Sequence, residues 1–173
     1  NVDYSYRGRE SESITAPVVF VGYGFNISSD TVNWNDYHDV DVEGKWVMVM
    51  RGAPDIAKYN AVFRIHTGDR DKVLTARDQG AKGVLLVSGK KYDTNDVLTP
   101  LTFGKTRTDA GLPVIQITRK VADNILMEIC SGTGNCKNLD KLESDFAGIQ
   151  MPMSMESDLN ISATVDLYYD VVR

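Results

Sequence analysis

Histidine, cysteine and clustered basic charge are scarce in this chain, and each scarcity removes a class of function. Only His38 and His66 could serve as a base in 173 residues, and no G-x-S-x-G stretch offers a serine nucleophile on a sharp turn. The two cysteines, Cys130 and Cys136, enclose Ser-Gly-Thr-Gly-Asn. With no second Cys or His pair they do not complete a tetrahedral metal site, which leaves a disulfide across a small flexible loop or two free thiols. No short segment concentrates Lys and Arg, and the net charge is −5, so the field that holds proteins on phosphate backbones is missing and nucleic acid is not an expected partner. No apolar run approaches the roughly 20 residues of a membrane helix, so no membrane span is expected. Asn1-Val2-Asp3-Tyr4 has neither the basic start nor the apolar core of a signal peptide, and any leader is expected to lie outside the sequence.

What the chain does contain is the composition of one folded domain. Hydrophobic residues at 42% against 25% charged exclude a mostly disordered reading, and a chain of this length buries roughly two thirds of its surface in a single core. Its most informative stretch is Ala76 to Gly89. There, polar residues at helical spacing run into Gly80-Ala81-Lys82-Gly83 and then into Val84-Leu85-Leu86-Val87, the pattern of a helix ending against a buried strand.

Around it the chain reads in order. Residues 1–15 are polar and form a linker or approach strand. Pro17 to Phe25 is a buried strand ending in glycines, and Trp46 to Met50 a second one, opened by Lys45 and closed by Arg51-Gly52. Residues 53–69 are the longest irregular region. Asp71 caps a helix to Gln79 with Val73, Leu74 and Ala76 inward, and Gly80 ends it. Leu112 to Ile117 is another strand, after which Thr118 caps an amphipathic helix carrying Val121, Ala122, Ile125, Leu126 and Ile129 inward. Leu139, Leu142 and Phe146 mark a short helix, and Ile161 to Val172 alternates as a last strand. The expected class is α/β: a mixed sheet or partly closed barrel flanked by two or three helices, with parallel strands at Val84 and Val114 joined by right-handed crossovers.

Chemical motifs are weak. Gly22-Tyr23-Gly24 begins like a dinucleotide loop, but Ile27 stands where a third glycine is needed, so the pair reads as structural. His38 lies among Asp36, Asp39 and Asp41, a set that either binds a hard cation such as calcium or forms a solvated turn in which the carboxylates bond nearby amides. Trp34, Tyr37, Tyr59 and Phe63 are either ligand anchors or core and turn anchors. Asn26-Ile27-Ser28 and Asn160-Ile161-Ser162 fit the glycosylation triplet, a pattern common by chance. From its residues alone the chain reads as a binding or structural module rather than an enzyme.

Five stretches then align in order. Val19 to Gly24, Asp36-Tyr37, Asp41 to Gly52, Ala76 to Val87 and Gly111 to Ile115 together resemble a protease-associated (PA) domain of the kind inserted in zinc aminopeptidases of the M28 family and, more distantly, in transferrin-receptor-like apical domains. The resemblance covers residues 16–130, and residues 131–173 are similar to the segment returning to the peptidase. It implies a swivelling β/β/α fold within one domain over 16–173, and no catalytic residue, cofactor or metal in this chain. Zinc would belong to a catalytic domain elsewhere in the parent, since His38 and His66 have His-x-x-Asp spacing where that centre needs H-x-D, and no Glu-Glu pair occurs. The implied role is a lid or interaction element beside the cleft of a secreted, periplasmic or cell-surface peptidase. Its partners would be the parent peptidase domain and a peptide or protein substrate. A free-standing peptide- or protein-binding module is the alternative. The candidate interaction residues are Arg51, Tyr59, Phe63 and Arg64 in and before the 53–69 loop, and Lys105 and Arg107 in the 99–110 loop.

Overall fold

A computed structural model describes residues 12–55, 60–100, 110–131, 136–149 and 151–165. The frame is a five-stranded mixed sheet. Strand β1 (Glu12–Phe20) lies parallel to β4 (Trp46–Met50), which continues parallel through β5 (Gly83–Val87) to β6 (Val114–Ile117). On the other side of β1, β7 (Asn160–Val165) runs antiparallel, with Thr15 opposite Ser162 and Ala16 opposite Ile161. A separate hairpin joins β2 (Asn26–Ser28) to β3 (Asn33–Asn35). The α/β class and mixed sheet are as expected from the sequence.

The central strands read as unbroken apolar runs because both faces of the sheet are covered, the usual consequence of parallel crossovers. Alternation sorts their side chains all the same. Val18, Phe20, Trp46, Met48, Met50, Leu85 and Val87 join one core, while Val19, Val47, Val49, Val84 and Leu86 join the other. Helix α2 (Asp69–Asp78) covers the second core with Val73 and Ala76. Helices α3 (Arg119–Cys130) and α4 (Leu139–Ile149) cover the first with Ala122, Leu126, Leu139, Leu142 and Phe146. A one-turn helix α1 (Ala61–Arg64) completes the set.

The stretch from Ala76 to Gly89 forms the expected helix, turn and strand. The chain leaves α2 at Gly80 with φ 90°. Gly83 must be glycine because a Cβ there would run into the indole of Trp46, its partner on β4, which lies across β5 at that point.

Several boundaries differ from the sequence reading. The first strand starts at Glu12 and stops at Phe20, because Gly22 and Gly24 at φ 51° and 71° turn the chain away. Residues 12–15 are part of the sheet, the approach-strand alternative of the two readings for residues 1–15. Helix α2 begins at Asp69 with Gly68 as its cap residue, leaving Asp71 inside its first turn, and Leu74 is half-buried where Lys72 is buried. Val121 is 44% exposed because the buried stripe of α3 runs through Ala122, Leu126 and Cys130. The 53–69 region is not irregular throughout, since Asn60 accepts a hydrogen bond from Val62 N and starts α1. Of the last strand, the portion beyond Val165 lies outside the described residues. Cys130 and Cys136 are joined as a disulfide, with Cα atoms 5.2 Å apart, between the end of α3 and the approach to α4.

Candidate functional site

In open α/β sheets ligands enter at the carboxyl ends of parallel strands, where loops diverge to opposite faces. Here the chain leaves β4 at Arg51 and β5 at Ser88, and between these two exits lies a cleft of about 440 Å³. Its walls are Tyr23, Arg51, Gly52, Ala53, Asp55, Lys91, Tyr92 and Glu143.

Arg51 is the organiser of this cleft. Its Nε and one terminal nitrogen grip Asp69 Oδ2 at 2.8 and 2.7 Å, with both side chains largely buried, and the other terminal nitrogen reaches Thr99 Oγ1 at 3.2 Å. The guanidinium carbon sits 4.8 Å from the centre of the Tyr92 ring, a cation–π distance. Tyr92 can lie there because Gly52, at φ 78°, carries no Cβ, which would meet the ring at 2.7 Å. The result is a half-exposed aromatic face (49%) held over a fixed cation. Opposite it, Lys91 Nζ pairs with Asp55 at 2.6 Å. Glu143 is 5% exposed and accepts from the Lys91 amide at 3.2 and 3.3 Å, and burial raises its carboxyl above the usual range. The cleft thus brings aromatic rings beside two cations and two carboxylates.

Behind the cleft are two charges buried in the core. Lys72 Nζ donates to the carbonyls of Tyr23, Met50 and Gly52 at 2.8, 2.7 and 2.6 Å, and lies over the Tyr23 and Phe25 rings at 5.2 and 4.6 Å. Burial pulls its ammonium down to about 7, while the Asp36 and Asp69 charges hold it up. All three ammonium protons are used, so the geometry is matched to the charged form. Asp36 accepts from Phe25 N at 2.8 Å and Trp34 Nε1 at 2.9 Å, and burial pushes its carboxyl up to about 7 against those two donors.

The residues singled out from the sequence are scattered. Arg51 lines the cleft, whereas Arg64 is an exposed residue at the end of α1. Phe63 is 1% exposed, packed edge-on against Phe25 and Trp34 at 5.6 and 5.4 Å, so its ring belongs to the core and faces no partner. Trp34 and Tyr37 are likewise buried, as core and turn anchors. Tyr59, Lys105 and Arg107 lie outside the described residues. The calcium set does not assemble. Asp36 turns inward, Asp41 accepts from Glu43 N and pairs with Lys45, and Asp39 meets His38 Nδ1 at 2.6 Å. Among the described residues no group of three or more His, Cys, Asp or Glu is placed to hold a metal ion, so they do not fit the dinuclear zinc centre of a peptidase. The sequence reading missed Lys72, Lys91, Tyr92, Asp55 and Glu143. The available signal was position: four of these lie just after a parallel strand or on the helix that follows one.

The PA domain profile matches residues 14–125, well over half of the chain and inclusive of all five sequence stretches. The chain belongs to the PA domain family. No curated protein matches it beyond that. Among solved structures, this PA domain is similar to a portion of the aminopeptidase from Aneurinibacillus sp. strain AM-1, with 17% identity and a TM-score of 0.46 over 90% of this chain and 28% of the other. It is also similar to a portion of BSAP, a zinc aminopeptidase from Bacillus subtilis, with 17% identity and a TM-score of 0.36 over 88% of this chain and 26% of that one. The chain therefore spans little more than a quarter of either structure.

Proposed function

We propose that this PA domain is the non-catalytic portion of an M28-like zinc aminopeptidase, and that it offers the cleft between the β4 and β5 exits to a peptide or protein substrate beside the catalytic centre. The observation that carries the proposal is the family match over residues 14–125 together with a cleft at the carboxyl ends of the parallel strands, built from Arg51, Tyr92, Lys91 and Asp55. Such a surface recognises extended chain through aromatic contact and exchangeable ion pairs, and it supplies no activated nucleophile. Zinc belongs to the parent's catalytic domain on this reading. The Cys130–Cys136 disulfide suits a secreted, periplasmic or cell-surface protein, since such bonds persist in oxidising compartments. Among the described residues no helix is long and apolar enough to cross a membrane.

Three tests bear on the reading. The purified chain, supplied with zinc and a chromogenic aminoacyl amide, is expected to show no turnover, and chelator-sensitive turnover would overturn it. In the full-length protein Tyr92→Ala is expected to raise KM for a peptide several-fold while kcat changes little, because it removes contact outside the reacting centre. An unchanged KM removes the cleft from the proposal. Sequencing the gene past Arg173 separates the host reading from a free-standing module: a peptidase segment with zinc ligands supports the first, and a membrane helix or stop the second.

A further inference from the structure

Lys72 does more than fill the core. The cleft rests on two stretches of main chain, one around Tyr23 and one from Arg51 to Ala53, and one main-chain bond, Met50 N to Gly22 O at 2.8 Å, ties their bases together. Beyond that bond the two stretches meet at the Lys72 ammonium, which takes the Tyr23 carbonyl from one and the Met50 and Gly52 carbonyls from the other. Three carbonyl oxygens within 2.8 Å, two aromatic faces and the nearby Asp36 and Asp69 carboxylates make up the coordination a bound organic cation would require. Arg51, on the cleft side, is the one cation that works against it. The side chain arrives from α2, on the opposite side of the sheet from most of these partners, and is 1% exposed.

We infer that Lys72 is the positioning residue of the cleft: its ammonium fills a primary-ammonium cage and holds Tyr23 and Gly52 from behind, so that a small alkylammonium ion is the ligand class the cage accepts once the side chain is removed. A ligand with charge but no N–H donors does not satisfy three carbonyls, and one with a hydroxyl in place of the ammonium satisfies at most one. The cage stands whether or not the cleft binds peptide; its importance for partner binding rests on the proposal above.

The test is chemical rescue of Lys72→Ala followed by amide NMR, with no partner required. The substitution is expected to displace the resonances of Gly52, Ala53 and Tyr92 while leaving Val84 and Leu86 near their wild-type positions. Added n-propylammonium, which matches the three methylene carbons and the nitrogen that the substitution removes, is expected to return the cleft resonances and recover at least half of the lost Tm with a saturating dose dependence, whereas n-propanol and tetramethylammonium do neither. Unmoved cleft resonances in the variant, no rescue, or rescue as good with n-propanol overturn the inference. Should the variant not fold, the wild-type chain decides: hydrogen-bond couplings from the Lys72 ammonium nitrogen to the carbonyl carbons of Tyr23, Met50 and Gly52 are expected, and their absence overturns the cage. Failure of Tyr92→Ala to alter KM removes the peptide-binding reading but leaves this result untouched, so the two are distinguishable.

Discussion

The two faces of the sheet are built from different materials. One is mostly aliphatic, with Tyr37 as its one buried aromatic: Val19, Val47, Val49, Val73, Ala76, Val84 and Leu86 pack beneath α2. The other is thick and aromatic, holding Phe20, Tyr23, Phe25, Trp34, Trp46, Phe63 and Phe146. Buried charge collects on the aromatic side, where Lys72 and Asp36 contact its rings and main chain. Small branched side chains pack at native density without gaps and leave no room for a polar group. Large rings leave interstices at their edges, and their faces stabilise a cation in a way aliphatic groups do not. A sheet needing one face for adhesion and one for a site can divide the work in this manner.

The sharpest way to break the comparison is to remove the charge. Lys72→Met is expected to lose about 3–5 kcal/mol in urea denaturation, because it strands the Tyr23, Met50 and Gly52 carbonyls in the core. A loss no greater than that of a neighbouring aliphatic truncation such as Val73→Ala would place both faces on the same footing. Next comes pH. The unfolded chain ionises Asp36 from its ordinary 3.8, but the folded one only near 7, so over that interval the native state holds the extra proton. Stability is therefore expected to fall as pH rises from about 4 to about 7, by roughly 2–4 kcal/mol, before the Lys72 proton, lost near 7 by the folded chain and kept by the unfolded one, turns the trend upward. Asp36→Asn should abolish that slope, whatever constant offset its altered hydrogen bonds add; an identical slope in both proteins would remove Asp36 as its source.

Much of the scaffold was legible because long apolar runs and helix caps are local signals. Trp46 to Met50, Val84 to Val87 and the Thr118-capped α3 needed nothing but neighbouring residues. The β2–β3 hairpin was not, since each strand has three residues and a single buried side chain, Ile27 or Trp34, too few to show a period. The site was least legible. Lys72 sits in a polar helical stretch, and nothing near it in sequence says that its ammonium ends on carbonyls 20 to 49 residues away. Phe63 misled for the opposite reason: its neighbours are loop-like, and its burial is decided by Phe25 and Trp34.

Two smaller tests sharpen the picture of the aromatic face. Cys130→Ser is expected to cost about 2 kcal/mol, the chain-entropy value for so short a loop, measured by thermal unfolding with and without reductant. Equal stability in both states would mean that α3 and α4 hold their packing unaided. Val121→Asn, at an exposed position on α3, should change stability by within about 0.5 kcal/mol, and a loss above 2 kcal/mol would return Val121 to the core.

The pairing of β1 with β7 has a consequence for how this unit can be joined to anything else. Glu12 and Val165 are opposite partners, and antiparallel partners lie about 4.5–5.5 Å apart. Chain that enters at one and leaves at the other does so through a two-stranded stem with almost no gap between its feet. A recipient protein need only open a single surface loop by the width of a hairpin to accept such a guest, and its own folding contacts stay as they were.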